Sequence, residues 1–143
     1  DAEILAFDMD NNGTKANQQS PVWRTRVSSE VIAPIASNGK SLIVRTIDGR
    51  THSLQADTGQ RVWGYDRTIP SLTQRGNAPA VIGRDSVLLA QDTGKLALLQ
   101  TDTGKMVWEQ TISAPEGKTE VERLVDLDST PLFIGDDIYV QSL

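Results

Sequence analysis

An all-β chain built from repeated four-stranded sheets is what this sequence predicts, and three observations carry that expectation. The run Asp57-Thr58-Gly59-Gln60-Arg61-Val62-Trp63 returns as Asp102-Thr103-Gly104-Lys105-Met106-Val107-Trp108, 45 residues later. Landmarks outside the run shift by the same 45 residues: Pro34 matches Pro79, Gly49 matches Gly94, and Leu54 matches Leu99. Between the landmarks, apolar runs of about five residues alternate with Asp, Gly and Asn turn signals, and no segment sustains the apolar spacing of a helix. Four short strands in a period of 45 residues is the arithmetic of a β-propeller blade, not of a helical solenoid.

Taken in order, the segment Asp1 to Asp8 aligns with Asp48 to Gln55, which places Phe7 where Leu54 and Leu99 stand. A long polar hairpin loop, Asn11 to Ser20, then leads to Trp23, which takes the part of Trp63. In the second full copy, strands are expected at Ala78 to Ile82 and Ser86 to Ala90, flanking the turn Gly83-Arg84-Asp85. Lys95 to Gln100 follows the turn Asp92-Thr93-Gly94, and Met106 to Gln110 follows Asp102-Thr103-Gly104. Glycine supplies the left-handed position of such turns without steric cost, and Asp or Thr side chains can bond the local backbone. Near the end Pro131 matches Pro79, and Asp137 to Ser142 reads as a second strand. The expected organisation is a half blade (1–27), two complete blades (28–68 and 69–113), and an enlarged loop with another half blade (114–143). A closed propeller needs several more blades, so the chain reads as a fragment.

Composition narrows the function classes. A hydrophobic fraction of 38% with 23% charged residues is that of a soluble globular chain. The net charge of -5 and the scattered lysines and arginines argue against a nucleic-acid partner. No apolar run reaches the roughly 18 residues of a spanning helix. No signal peptide opens the chain, so any targeting segment is expected to have been removed or to lie upstream. The absence of cysteine excludes disulfides and thiolate metal sites within these residues. His52, the single histidine, lies on a strand between Thr51 and Ser53 and reads as an exposed or packing residue. No Ser/His/Asp set or His-rich metal site is visible, and no catalytic, cofactor or metal residue is assigned. The Asp-Thr-Gly runs recur before a tryptophan, which makes them turns and not aspartic-protease or calcium motifs. Trp23, Trp63 and Trp108, with Gly59 and Gly104, are the structural residues of the repeat. Each ring is expected to fill the gap between neighbouring blades with its N–H on a backbone partner; the other reading is a stacking surface for a planar cofactor.

The run Ala56-Asp57-Thr58-Gly59 through Trp63 resembles the repeat of the pyrroloquinoline-quinone (PQQ) type propellers, a superfamily holding both dehydrogenases and non-enzymatic scaffolds. Two loops carry a closer resemblance: Ile69-Pro70-Ser71-Leu72-Thr73-Gln74-Arg75-Gly76-Asn77-Ala78-Pro79, and Thr119-Glu120-Val121-Glu122-Arg123-Leu124-Val125-Asp126-Leu127-Asp128-Ser129-Thr130-Pro131. Both are similar to loops of the BamB family, propeller lipoproteins of the outer-membrane β-barrel assembly machinery. The resemblance implies an eight-bladed propeller on the periplasmic face of the outer membrane of a Gram-negative bacterium, held by a lipidated cysteine preceding these residues. It implies the POTRA domains of BamA as partner, and unfolded outer-membrane proteins as further clients. By motif, the family's contact residues fall on Leu72, Arg75, Asp126 and Asp128. Gln74 departs from the pattern, where a second apolar residue is expected.

Loop lengths argue the same point independently. From each Trp to the next Pro the spacing grows from 11 residues (Trp23 to Pro34) to 16 (Trp63 to Pro79) and 23 (Trp108 to Pro131). Such connections sit side by side on one face of a propeller, and enlarged loops on a rigid scaffold collect binding residues. Leu72 lies among polar residues, and Arg75 carries the five-donor fork favoured at interfaces. The bland readings are that Leu72 packs down on the sheet and that Arg75 pairs with Asp126 or Asp128 across the loops. The expected function is a protein-binding scaffold; the rivals are a piece of a PQQ-dependent dehydrogenase or of a ligand-sensing propeller.

Overall fold

A computed structural model of the chain describes residues 2–8, 20–66, 78–91, 94–111, 132–134 and 137–139. Every element is a strand, paired antiparallel to its sequence neighbour. The first sheet pairs β1 (Ala2–Ala6) with β2 (Trp23–Val27). The second holds β3 (Ala36–Ser37), β4 (Ser41–Arg45), β5 (Arg50–Gln55) and β6 (Arg61–Asp66) in chain order, and the third repeats that order with β7 (Val81–Ile82), β8 (Ser86–Ala90), β9 (Lys95–Gln100) and β10 (Met106–Thr111). The fourth pairs β11 (Leu132–Ile134) with β12 (Asp137–Tyr139). Among the described residues no helix is long and apolar enough to cross a membrane.

Alternation along the middle strands shows why these sequences form sheets covered on both faces. Val87 and Leu89 of β8, with Ala97 and Leu99 of β9, pack back against Ile43 and Trp63 of the second sheet. Leu88, Ala90 and Leu96 point the other way and gather around Ala78 and Trp108. Likewise Val44 and Leu54 of the second sheet close on Ile4 and Val27 of the first. Period-two side chains therefore feed two interfaces at once, and each leucine buried there contributes about 1.5–3 kcal/mol.

Phe7 keeps its expected register but not the burial. Ala6 pairs with Trp23 as Ser53 pairs with Trp63, yet Phe7 is 50% exposed while Leu54 and Leu99 are fully buried. Those leucines pack on the sheet before them, and among the described residues no sheet precedes β1. A second difference is the length of β7. The expected strand Ala78 to Ile82 pairs only over Val81–Ile82, as the equivalent β3 pairs only over Ala36–Ser37; each opens after a proline, Pro79 or Pro34, which has no N–H to give a ladder.

The repeat's glycine and tryptophan form one latch. Trp23 Nε1 donates to the Ala56 carbonyl at 2.9 Å, and Trp63 Nε1 donates to the Thr101 carbonyl at 2.7 Å. Each ring thus reaches the Asp-Thr-Gly turn of the following sheet. Gly59 and Gly104 both have φ +70, and a Cβ on either would fall 2.6 Å from Cδ2 of Trp23 or Trp63. Only glycine satisfies both the left-handed backbone and the ring above it. Within the turn the threonine, not the aspartate, makes the side-chain bonds: Thr58 donates to Gln55 at 2.9 Å and Thr103 to Gln100 at 2.8 Å. A bulge follows at the same place in both sheets, leaving Val62 and Val107 as the extra residues. They point outward at 44% and 54% exposure, while the next residue, Trp63 or Trp108, turns inward to a core.

Candidate protein-interaction site

Strand direction decides which segments share an edge. Arg45, at the end of β4, pairs with Thr51; Asp66, at the end of β6, pairs with Arg50. The turn 46–49 and the connection leaving at residue 67 therefore start from one edge of the second sheet. In the third sheet Ala90 pairs with Leu96 and Thr111 with Lys95, so the turn 91–94 and the connection leaving at residue 112 share the equivalent edge. Leu72, Arg75, Asp126 and Asp128 lie on these two connections, outside the described residues.

What the structure does describe is how the edge is held. Arg45 is 9% exposed, and its Nη1 donates to the carbonyl of Ala78, the first described residue after the connection. At the connection's other foot, Arg50 Nε meets Asp66 Oδ1 at 3.0 Å, with Arg50 Nη1 also 3.8 Å from Asp48 Oδ2. Asp48 Oδ1 accepts from Thr46 Oγ1 at 2.5 Å. Burial pushes the Asp48 carboxyl up, but hydrogen bonds from Thr46, Ser28 and the Arg50 backbone, with the Arg50 charge, outweigh it and hold the group below its usual 3.8. Gln91 Nε2 donates to the Tyr65 hydroxyl at 3.4 Å, a further tie across the two sheets. The preceding connection is fastened too: Ile32 N donates to Arg45 O at 3.1 Å and Ile47 N to Glu30 O at 2.8 Å.

Behind this edge sits His52, buried at 3% exposure, which settles its sequence reading as a packing residue. Its Nε2 is 3.0 Å from Ser28 Oγ, and Ser28 Oγ is 3.3 Å from Thr46 Oγ1. The other ring nitrogen, Nδ1, is buried with no partner, so no carboxylate orients the ring as a general base requires. Burial, reinforced by the charges of Arg61 and Arg50, pushes the imidazole below its usual 6.5. The pair is a part-buried polar contact between the segment just after β2 and the second sheet.

At the opposite edge a cleft of about 320 Å³ opens between the second and third sheets, lined by Lys40, Ser41, Asp57, Val62, Thr101 and Asp102. Among the described residues no group of three or more His, Cys, Asp or Glu can hold a metal ion. One face of Trp23 and of Trp63 lies against Gly59 and Gly104, and Trp63 is 8% exposed, which leaves the Trp63 ring no open stacking surface for a planar cofactor.

Sequence reasoning missed the Arg45 and Arg50 anchors. The signal available was a break in the repeat: the position 45 residues after Arg45 is Ala90, an alanine in a buried cluster.

Known proteins place this geometry. The family described as "Outer membrane protein assembly factor BamB" matches residues 13–143. Outer membrane protein assembly factor BamB of Nitrosomonas eutropha is 37% identical over 130 residues, covering 91% of this chain and 30% of that protein. The BamB of Xanthomonas campestris is 42% identical over 120 residues, 84% of this chain and 30% of the relative. The chain thus spans about three-tenths of these relatives' length. Among solved structures, BamB from Moraxella catarrhalis superposes with a TM-score of 0.78 at 29% identity, covering 89% of this chain and 39% of that one. Quinohemoprotein alcohol dehydrogenase from Comamonas testosteroni superposes at 0.61 with 21% identity over 80% of this chain and 17% of its own. That likeness establishes the propeller fold alone.

Proposed function

The chain belongs to the family of outer membrane protein assembly factor BamB, and from that premise we propose that it is part of a non-enzymatic scaffold. The scaffold binds the POTRA domains of BamA at the periplasmic face of the outer membrane of a Gram-negative bacterium. A lipid anchor and unfolded outer-membrane proteins as clients belong to the same reading. Its biochemical task is to hold a partner, and through it to assist insertion of β-barrel proteins. We assign the contact to Leu72, Arg75, Asp126 and Asp128, on the connections that follow β6 and β10.

One observation carries the assignment. Both connections leave the same edge of consecutive sheets, from Asp66 paired with Arg50 and from Thr111 paired with Lys95. Two long connections that start from the same side of consecutive sheets bring their roots together, and an arginine on one with aspartates on the other would offer a partner both charge and directional bonds.

The test is charge reversal in the full-length protein, with POTRA affinity and thermal unfolding measured together. Truncating a desolvated charge pair costs about 2–5 kcal/mol, so Arg75→Glu weakens binding by tens-fold or more with little change in melting temperature. Asp126→Lys with Asp128→Lys behaves likewise, and Leu72→Asp tests the apolar contact. Lys15→Glu, in the first polar stretch, leaves affinity unchanged. If Arg75 only staples the two connections, its reversal lowers stability and the double reversal Arg75→Glu with Asp126→Lys restores it. Unchanged POTRA affinity in all three variants refutes the site.

A further inference from the structure

We propose that Arg45 is a positioning residue: its buried guanidinium fixes the foot of the connection between β6 and β7 and so sets the partner affinity of that edge. The proposal rests on the reading above, in which this connection touches the partner. Its first support is the repeat itself. Arg45 closes β4 as Ala90 closes β8, and Ala90 is 1% exposed within an apolar cluster. The repeat fills this position with a small apolar side chain when packing alone is needed. At 9% exposure, a guanidinium costs heavily unless its donors are bonded. The structure gives it the Ala78 carbonyl, across the interface between the second and third sheets.

The two feet are held unequally. At Asp66 the tie is the Arg50 ion pair, whose side chains are 49% and 72% exposed, and such pairs contribute little and weaken with salt. At Ala78, itself 1% exposed, the bond is buried and out of reach of screening. Ala78 is thus the fixed foot, and it directly follows the connection named in the contact. A fixed foot lowers the ordering cost at binding, the general route by which preorganisation raises affinity without adding a contact.

The experiment uses the full-length protein with Arg45→Met, Arg45→Gln and Arg45→Lys. Native-state hydrogen exchange at residues 78–82 is measured beside calorimetry with the POTRA domains. Methionine keeps the volume and removes the donors; it should raise exchange at 78–82 and weaken binding by about 3- to 10-fold. Lysine, which keeps a donor, should recover most of the affinity. Where the methionine variant fails to fold, Arg45→Gln is read in its place, with the same expected direction. Affinity unchanged by Arg45→Met while Arg75→Glu weakens binding overturns the proposal. So does weaker binding with exchange at 78–82 unaltered, since the effect then does not pass through the foot. If Arg75→Glu is also without effect, the partner reading has failed, and exchange alone decides the anchor: unaltered protection at 78–82 overturns it, and lost protection sustains it.

Discussion

Substituting Gly104 by alanine puts the latch under direct test. The new methyl would meet Trp63 at 2.6 Å from Cδ2, 2.7 Å from Cε3 and 2.9 Å from Cγ. The ring cannot swing away freely, because its Nε1 is bonded to Thr101 O at 2.7 Å and the side chain is 8% exposed within the core. Two costs add. A non-glycine residue at φ +70 costs about 1–2 kcal/mol, and overpacking a filled site costs about 1–3 kcal/mol more. Gly39 separates them, since it has φ +86 and nothing within 4 Å of an added Cβ. Gly39→Ala therefore carries the backbone cost alone, about 1–2 kcal/mol. Urea unfolding of the full-length protein, followed by tryptophan fluorescence, should show Gly104→Ala losing about 1–3 kcal/mol beyond Gly39→Ala. In a Trp63→Leu background the excess should shrink, because the atoms that meet the methyl are gone. Equal losses for the two alanine variants would refute the reasoning.

Three further outcomes follow from particular atoms. Thr101→Ala should be neutral or stabilise by up to about 1 kcal/mol in urea unfolding, since its Oγ1 is buried without a partner and the first copy already has Ala56 there; a loss above about 1 kcal/mol would contradict this. His52 has its pKa lowered from 6.5, so in the window just below 6.5 the unfolded chain binds the extra proton, and stability falls as pH drops through it. His52→Asn should flatten that slope, and an unchanged slope sinks the argument. Asp48, held below 3.8, stabilises above that value, and its contribution disappears as pH falls through its folded-state pKa; Asp48→Asn should abolish this lower step of an acid titration.

Much of the architecture was readable because a repeat states each structural requirement twice. Gly59 and Gly104 recur at one offset with Trp63 and Trp108, and a residue kept for a single conformation is visible as soon as a second copy exists. The expected strands Ser86 to Ala90 and Lys95 to Gln100 match β8 and β9 to the residue, for the same reason. Short strands were harder: β3 and β7 span only Ala36–Ser37 and Val81–Ile82, and the bond from Arg45 to Ala78 beside β7 is long-range, which no local pattern announces. Phe7 shows the complementary limit, since register is local while burial depends on a neighbouring sheet. The anchor at Arg45 was legible only as a departure, standing where the other copy has Ala90, whereas Arg50 has a basic counterpart in Lys95. Of the candidate contact, the supporting edge is now physical, and Leu72, Arg75, Asp126 and Asp128 rest on resemblance and loop length.

The latch also imposes a timetable on folding. Trp23 finds its acceptor 33 residues downstream and Trp63 finds its own 38 residues downstream. A chain delivered from its N-terminus therefore forms each hairpin series early, but seals a sheet only when the next sheet's Asp-Thr-Gly turn has emerged. Until then the newest sheet carries an undocked indole and an open apolar face, which the following sheet covers. Assembly by successive capping keeps contacts between neighbours in sequence, so one unfinished surface advances along the chain as each sheet is covered by the next.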